Sequence, residues 1–325
     1  MDKERGLKLN TRKKISNLAK IGIISTLSIF LLNKLLFLKS TAKERLYSDN
    51  GNFYNWKFGK VFYTVHGKGS PILLIHDLAC DSSDYEWKKV ISSFAQNHTV
   101  YTIDLIGCGR SDKPKITYTN YLYVQLISDF IKNVIKQKTQ VISTGLSSSA
   151  CIMACYIEPK LFENLILVNP TNTATLSMYP RSKDKFLKWL CETPILGTLL
   201  YNIRYSSTMI RKDFAKRLFN DSGNITRHYI ETYAEAAHLG GSSAKYLMSS
   251  IYSRYVNINI NHSVKSINNA IQIIIGDNME NRDELEQLYQ ELNPSIEVDT
   301  ISNSKHLPQL ENPSSFVATC NIYLK

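Results

Sequence analysis

The chain opens on one long apolar stretch and then settles into short runs of two different periods. Residues 21–38 (IGIISTLSIFLLNKLLFL) are apolar except for Ser25, Thr26, Ser28, Asn33 and Lys34. A stretch of that length is at the short end of what crosses a bilayer as a helix. Farther on, residues 60–66 alternate apolar and polar, as a half-exposed strand does. Residues 71–76, 99–105, 140–144, 165–169 and 271–276 are instead continuous runs rich in Ile and Val. Such runs suit strands covered on both faces of a parallel sheet. Helix-period stretches at 121–136 and 150–159 lie between them. This alternation predicts an α/β fold, a doubly wound, mostly parallel sheet with right-handed crossovers.

The rhythm breaks between 178 and 258. Apolar spacing at 186–191, 195–203 and 229–238 is helical there, and no strong strand signal interrupts it. Strand signals resume at Ile271 and Ile296, and 313–324 has the pattern of a closing helix. The expected organisation is a basic segment 1–20, an anchor helix 21–38, a linker 39–50, core 51–177, an inserted helical cap 178–258, and core 259–325.

Charge sharpens the N-terminal picture. The net charge is +11, and residues 1–46 hold eleven Lys/Arg against three Asp/Glu. The other 279 residues carry 28 and 25, so the body is nearly neutral and nucleic acid is a poor partner for it. Seven Lys/Arg precede the apolar stretch within twenty residues, and four follow it within the next twenty. On the positive-inside rule the N-terminus is cytoplasmic and the body extracytoplasmic, carried by a single-pass anchor through 21–38. Two alternatives stay open. Ser40-Thr41-Ala42 has the small residues of a signal-peptide cleavage site, and an interfacial helix would leave the body cytoplasmic. The six cysteines are scattered, with no CxxC pair, so neither a metal site nor a disulfide framework is implied, and no cofactor is expected.

The chemistry centres on QVISTGLSSSACIMACY, a strand entering a helix through Gly145-Leu146-Ser147-Ser148-Ser149. A serine on a tight strand-to-helix turn stands above the sheet edge, and the next N–H, that of Ser148, is free to face an oxyanion. The pattern is G-x-S-x-S, with Ser149 where a glycine is usual. Taken alone, it is equally a helix N-cap.

Several landmarks in order give the turn its context. Ile75-His76-Asp77-Leu78 is similar to a strand-end His-Gly turn, and DLIGCGRSDKP at 104–114 is similar to a DxxGxGxSxxP loop. Val168-Asn169-Pro170, a late strand ending in Gly276-Asp277, and KHLPQLENP at 305–313 follow. From about residue 55 onward the sequence resembles the α/β-hydrolase family. The resemblance implies Ser147 as nucleophile, His306 as general base, and an oxyanion hole from the N–H groups of Leu78 and Ser148. It places the triad acid three residues after the glycine that ends the late strand, where Met279 stands. Glu280 is preferred, with Asp277 the alternative. Aspartate at 77, where the family has glycine, is a further departure. His76 is expected to be structural, and His238 either lines the pocket or packs its helix.

The reading at this point is a serine hydrolase cleaving an ester or related acyl bond of a small hydrophobic substrate. The cap residues Phe186, Trp189, Leu196, Leu200, Tyr229 and Tyr233 suggest that apolar character. Serine rather than aspartate at the turn points away from the dehalogenase and epoxide-hydrolase branches, which use a carboxylate nucleophile. The alternative is a membrane-tethered, non-catalytic homologue that binds a ligand or protein partner.

Overall fold

The computed structural model describes residues 2–324, with side chains at residue 17 and from residue 20 onward. The basic side chains at positions 3–14 lie outside the described residues. Eight strands form one sheet: β1 (Gly51–Trp56), β2 (Gly59–His66), β3 (Ser70–Ile75), β4 (His98–Ile103), β5 (Thr139–Thr144), β6 (Phe162–Val168), β7 (Ala270–Gly276) and β8 (Glu297–Ile301). Their order is β1-β2-β4-β3-β5-β6-β7-β8. The β1–β2 and β2–β4 pairs are antiparallel and the other pairs are parallel. The doubly wound, mostly parallel sheet is as expected. The strand the pattern did not signal is β1, whose GNFYNW run is mostly exposed at the sheet edge. Residues with both faces in solvent or half-covered leave no hydrophobic alternation to read.

The central strands β3, β5 and β6 are buried along nearly their whole length, which is why they appear as unbroken apolar runs. Between β6 and β7 the described residues form helices and no strand. Three helices matter most there: Ser182–Glu192, Leu196–Arg204 and Arg227–His238. Thr226 caps the last of these by accepting from Tyr229 N–H at 3.3 Å. Tyr229, Tyr233 and Phe214 share an apolar cluster with Leu307 and Leu310, so the cap is packed directly onto the segment that follows His306.

The N-terminal helix runs from Asp2 to Thr41 and rests its last turns on the cap. Asn33, buried, donates to Ile195 O at 3.4 Å and accepts from Asn202 Nδ2 at 2.7 Å. The Phe37 ring meets His238 edge-on at 5.4 Å. The segment that follows is tied down as well. The backbone N–H groups of Arg45 and Leu46 donate to the Glu235 carboxylate at 2.8 and 3.1 Å, and Leu46 O accepts from Arg110 Nη1 at 3.0 Å.

Arg110 belongs to the 104–114 loop, and its contacts explain the sequence of that loop. Asp104, with no solvent exposure, accepts from the backbone N–H and Nε of Arg110, both at 2.8 Å, and from Asp84 N–H at 2.7 Å. Arg110 also pairs with Asp84. The loop is a buried charge clamp that fixes the end of β4, and its residues stand apart from the chemistry. Replacing Arg110 with alanine strands two carboxylates out of water, so urea denaturation should show a loss of about 3–5 kcal/mol. A loss under about 1 kcal/mol would mean the clamp is an ordinary surface pair.

Candidate active site

In open α/β sheets, ligands collect outside the carboxyl ends of the strands. The register aligns Ile75 of β3 with Ser143 of β5. Asp77 and Gly145, each two residues farther on, therefore leave the sheet side by side. Gly145 is the apex of the turn into the helix Ser147–Ile157 and has φ +59°, a left-handed conformation that costs a side chain little only when that side chain is absent. A Cβ on Gly145 would lie 2.3 Å from Asp77 Oδ1 and 2.5 Å from its Cγ. The Asp77 carboxylate thus fills the space in which an apex side chain would begin.

Both carboxylate oxygens are engaged. Oδ1 accepts from Leu146 N–H at 2.8 Å, the first N–H after the apex, and Oδ2 faces His306 Nε2 at 3.1 Å. Burial pushes the Asp77 carboxyl upward, but the hydrogen bond and charge of His306 and the Leu146 N–H outweigh it, and the group titrates below its ordinary value. An ionised Asp77 can only accept, so the Nε2 proton resides on His306. Beneath it, Glu86 accepts from Asp77 N–H at 3.0 Å. Burial, reinforced by the Asp77 charge, raises the Glu86 carboxyl well above the usual range. Two adjacent carboxyls are pushed apart in this way, one toward the anion and one toward the acid.

His306 is held by its backbone. Asn169, at φ +44°, donates from Nδ2 to the carbonyls of Lys305 and His306, both at 3.0 Å, and accepts from Gly276 N–H at 3.1 Å. The His306 N–H donates to Leu218 O of the cap at 3.1 Å. One asparagine therefore ties together the ends of β6, β7 and the His306 loop.

The other expected site residues lie elsewhere. Ser147 is the first residue of the helix rather than the apex. Its buried Oγ donates back to Thr144 O at 2.8 Å, and no hydrogen bond joins it to His306 among the described residues. Ser148 N–H donates to Gly145 O at 3.3 Å inside the turn, whereas Leu78 N–H makes no hydrogen bond among the described residues. Asp277 accepts from the N–H groups of Asn303 and Ser304, at 2.9 and 3.0 Å, closing a loop between β7 and β8. Glu280 is exposed, with Oε1 3.3 Å from Lys305 Nζ. Neither reaches His306. His76 is structural, donating from Nδ1 to Asp77 O at 2.6 Å and accepting from Leu105 N–H at 3.0 Å. His238 packs against the N-terminal helix, its Nδ1 2.6 Å from Ala234 O. Asp77 and Gly145 are the positions the motif match passed over. The sequence signal for them was a glycine in the strand-to-helix turn together with an aspartate where glycine is usual.

A cavity of about 270 Å³ opens over Asp77 and His306, with Leu146, Asp81, Arg204, Asp213 and Tyr233 in its walls. Its walls are mixed, with Leu78, Leu218, Ile251 and Leu307 beside the charged groups. Arg204 pairs with Asp213 at 2.7 Å, and the buried Tyr233 hydroxyl has no hydrogen-bond partner among the described residues. Of the cap side chains expected to line it, Tyr233 stands in its wall and four others do not. Phe186, Trp189, Leu196 and Leu200 are exposed on the outer surface of the cap.

A model of the alpha/beta hydrolase family matches residues 72–319. Among curated proteins, 2-hydroxy-6-oxo-6-(2'-aminophenyl)hexa-2,4-dienoic acid hydrolase of Metapseudomonas resinovorans is 28% identical over 33% of this chain and 37% of its own. Soluble epoxide hydrolase of a Corynebacterium species is 27% identical over 34% of this chain and 38% of its own. The chain thus spans little more than a third of the length of these relatives. Among solved structures, a bacterial membrane phospholipase A superposes with a TM-score of 0.67 at 14% identity. The superposition covers 96% of this chain and 97% of that one.

Two outcomes are expected from the Asp77–Gly145 contact. Gly145→Ser alone should destabilise the fold by about 1–3 kcal/mol through overpacking and strain. Adding Asp77→Gly should recover most of that loss, giving a coupling of about 1–3 kcal/mol in a denaturation double-mutant cycle. Additive losses would mean the two positions do not share one space. Asp77 titrates in the folded chain below the ordinary 3.8. Its stabilisation is therefore complete above the unfolded value and lost as pH falls through the folded one. Asp77→Asn should lower the Tm by about 2–6 °C at neutral pH, and by progressively less as the pH falls below 3.8.

Proposed function

The chain belongs to the alpha/beta hydrolase family, and on that premise we propose that it is a hydrolase whose nucleophile is the Asp77 carboxylate, reaching from β3 into the place a turn side chain would take. The observation that carries this reading is the pair of contacts at 2.8 and 3.1 Å that hold the two Asp77 oxygens between Leu146 N–H and His306 Nε2 over an empty glycine apex. A carboxylate nucleophile needs an electrophilic saturated carbon with a good or strained leaving group, such as a small epoxide. The likeness to a soluble epoxide hydrolase, partial as it is, supports that substrate class.

Asp77 Oδ2 attacks the ring carbon, the C–O bond breaks, and the Tyr233 hydroxyl gives its proton to the departing oxygen, leaving an alkyl ester on Asp77. With Oδ2 esterified, the imidazole proton has lost its anionic acceptor. His306 in its other tautomer takes a proton from a water that adds to the Asp77 carboxyl carbon. Leu146 N–H, which already donates to Oδ1, stabilises the oxyanion of that adduct, and Leu78 N–H is the candidate second donor. Collapse expels the diol, which takes the proton from His306, and the proton left on Asp77 returns to Tyr233. Membrane attachment through the N-terminal helix belongs to the same proposal, with the excess of basic residues before the span supporting an extracytoplasmic body.

Single-turnover hydrolysis of styrene oxide in H₂¹⁸O tests the central step. The first diol should carry unlabelled oxygen, with ¹⁸O appearing in the peptide that contains Asp77. His306→Gln should accumulate the ester as a mass increase on that peptide. Asp77→Asn should lower kcat by at least about 10³-fold. Label in the first-turnover diol would remove Asp77 as nucleophile, and fluorophosphonate labelling abolished by Ser147→Ala would return the role to Ser147.

A further inference from the structure

The N-terminal helix and the outer face of the cap both leave large apolar side chains uncovered. Between Ile21 and Leu32 the helix stands almost bare, with only Ile29 half-covered. From Asn33 onward it is docked on the cap, through Asn33, Leu36 and Phe37. Yet the apolar run continues to Leu38, so docked and apolar portions overlap. The free portion is twelve residues, or about 18 Å of helix at 1.5 Å per residue. A hydrocarbon core is ~30 Å thick. The bare part alone falls short by roughly 10 Å, and Lys20 closes it off on the other side.

The remaining length comes from residues 33–38, and those residues carry the rim of the cap with them. That rim is apolar and uncovered. On Leu196–Arg204 the side chains of Leu196, Leu200 and Ile203 fall on one exposed stripe, and on Ser182–Glu192 the rings of Phe186 and Trp189 lie 5.7 Å apart in the open. Lys183 and Lys185 stand exposed on the same helix as the two rings. Rings with neighbouring lysines are the composition of an interfacial belt, the rings at the acyl boundary and the ammonium groups among the phosphates.

We infer that the cap helices Ser182–Glu192 and Leu196–Arg204 are a second membrane contact, seated on a lipid bilayer beside the N-terminal helix to a depth of about 5–10 Å. The inference rests on the proposed membrane attachment of that helix. The shortfall of the bare span is of the same size as the depth to which interfacial helices sink. A lipid surface is favoured over a second copy of the chain because Leu196–Arg204, which carries the stripe, also holds the end of a helix that is itself long and apolar enough to cross a membrane.

Trp189 reports on this directly. Of the three tryptophans, Trp56 and Trp87 are buried and Trp189 is 62% exposed. The full chain is reconstituted in vesicles of phosphatidylcholine and phosphatidylglycerol, with and without lipid brominated high on the acyl chain. Bromination should quench the Trp189 contribution by roughly twofold or more, and aqueous iodide should fail to reach it. Trp189→Phe should abolish the bromine effect, and Phe186→Asp with Leu200→Asp should weaken it while the protein still floats with the vesicles. Flotation with Trp189 open to iodide and indifferent to bromine overturns the cap contact and leaves the anchor standing. A chain that does not float loses both. Shielding of Trp189 that rises with protein concentration in detergent assigns the face to a second copy and likewise overturns the inference.

Discussion

Asp77 lies against Gly145 because two parallel strands, β3 and β5, end at the same level and each turns away two residues later. The carboxylate can occupy this place only because position 145 has no side chain. A glycine at a left-handed apex leaves a hole above the sheet edge, and a carboxylate aimed into such a hole needs donors on both sides to offset its desolvation. Leu146 N–H and the His306 imidazole supply them. The Asn169 clamp keeps the ends of β6 and β7 and the His306 loop in register beside that one anion.

The fold was legible because parallel strands buried on both faces can be little else than continuous Ile/Val runs, and their order along the chain fixes the architecture. The position of His306 was legible for a related reason, since a loop that follows the last strand delivers its residues to the same sheet edge. The turn was not read correctly to the residue. Ser143-Thr144-Gly145-Leu146-Ser147 and Gly145-Leu146-Ser147-Ser148-Ser149 both place small residues around a centre, and a motif counted by spacing cannot tell which centre the backbone bends at. The conformation decides it: only Gly145 has the positive φ. Asp77 was visible as a departure from the glycine usual there. Its meaning depended on a partner position sixty-eight residues away in sequence, which no local pattern encodes.

The cap gives the complementary lesson. Helical periodicity at 186–191 and 195–203 was evident in the sequence, but a stripe of apolar residues does not say what it faces. Those stripes look outward here, and the cavity beneath is walled by Asp81, Arg204 and Asp213. Leu78, Leu218 and Ile251 share those walls with the charged groups, so the cavity has an apolar lining of its own beneath a cap that is apolar on its other side as well.

The segment joining the N-terminal helix to the sheet is stapled rather than slack, with Glu235 holding the backbone of Arg45 and Leu46 from the cap and Arg110 holding Leu46 from the core. A body on a loose tether samples all orientations and a range of heights. This one has a set clearance and a set heading relative to its own first helix. For a chain carried on a lipid sheet, the mouth of the cavity then stays at constant altitude, and encounters with molecules dissolved in that sheet become a search in two dimensions rather than three.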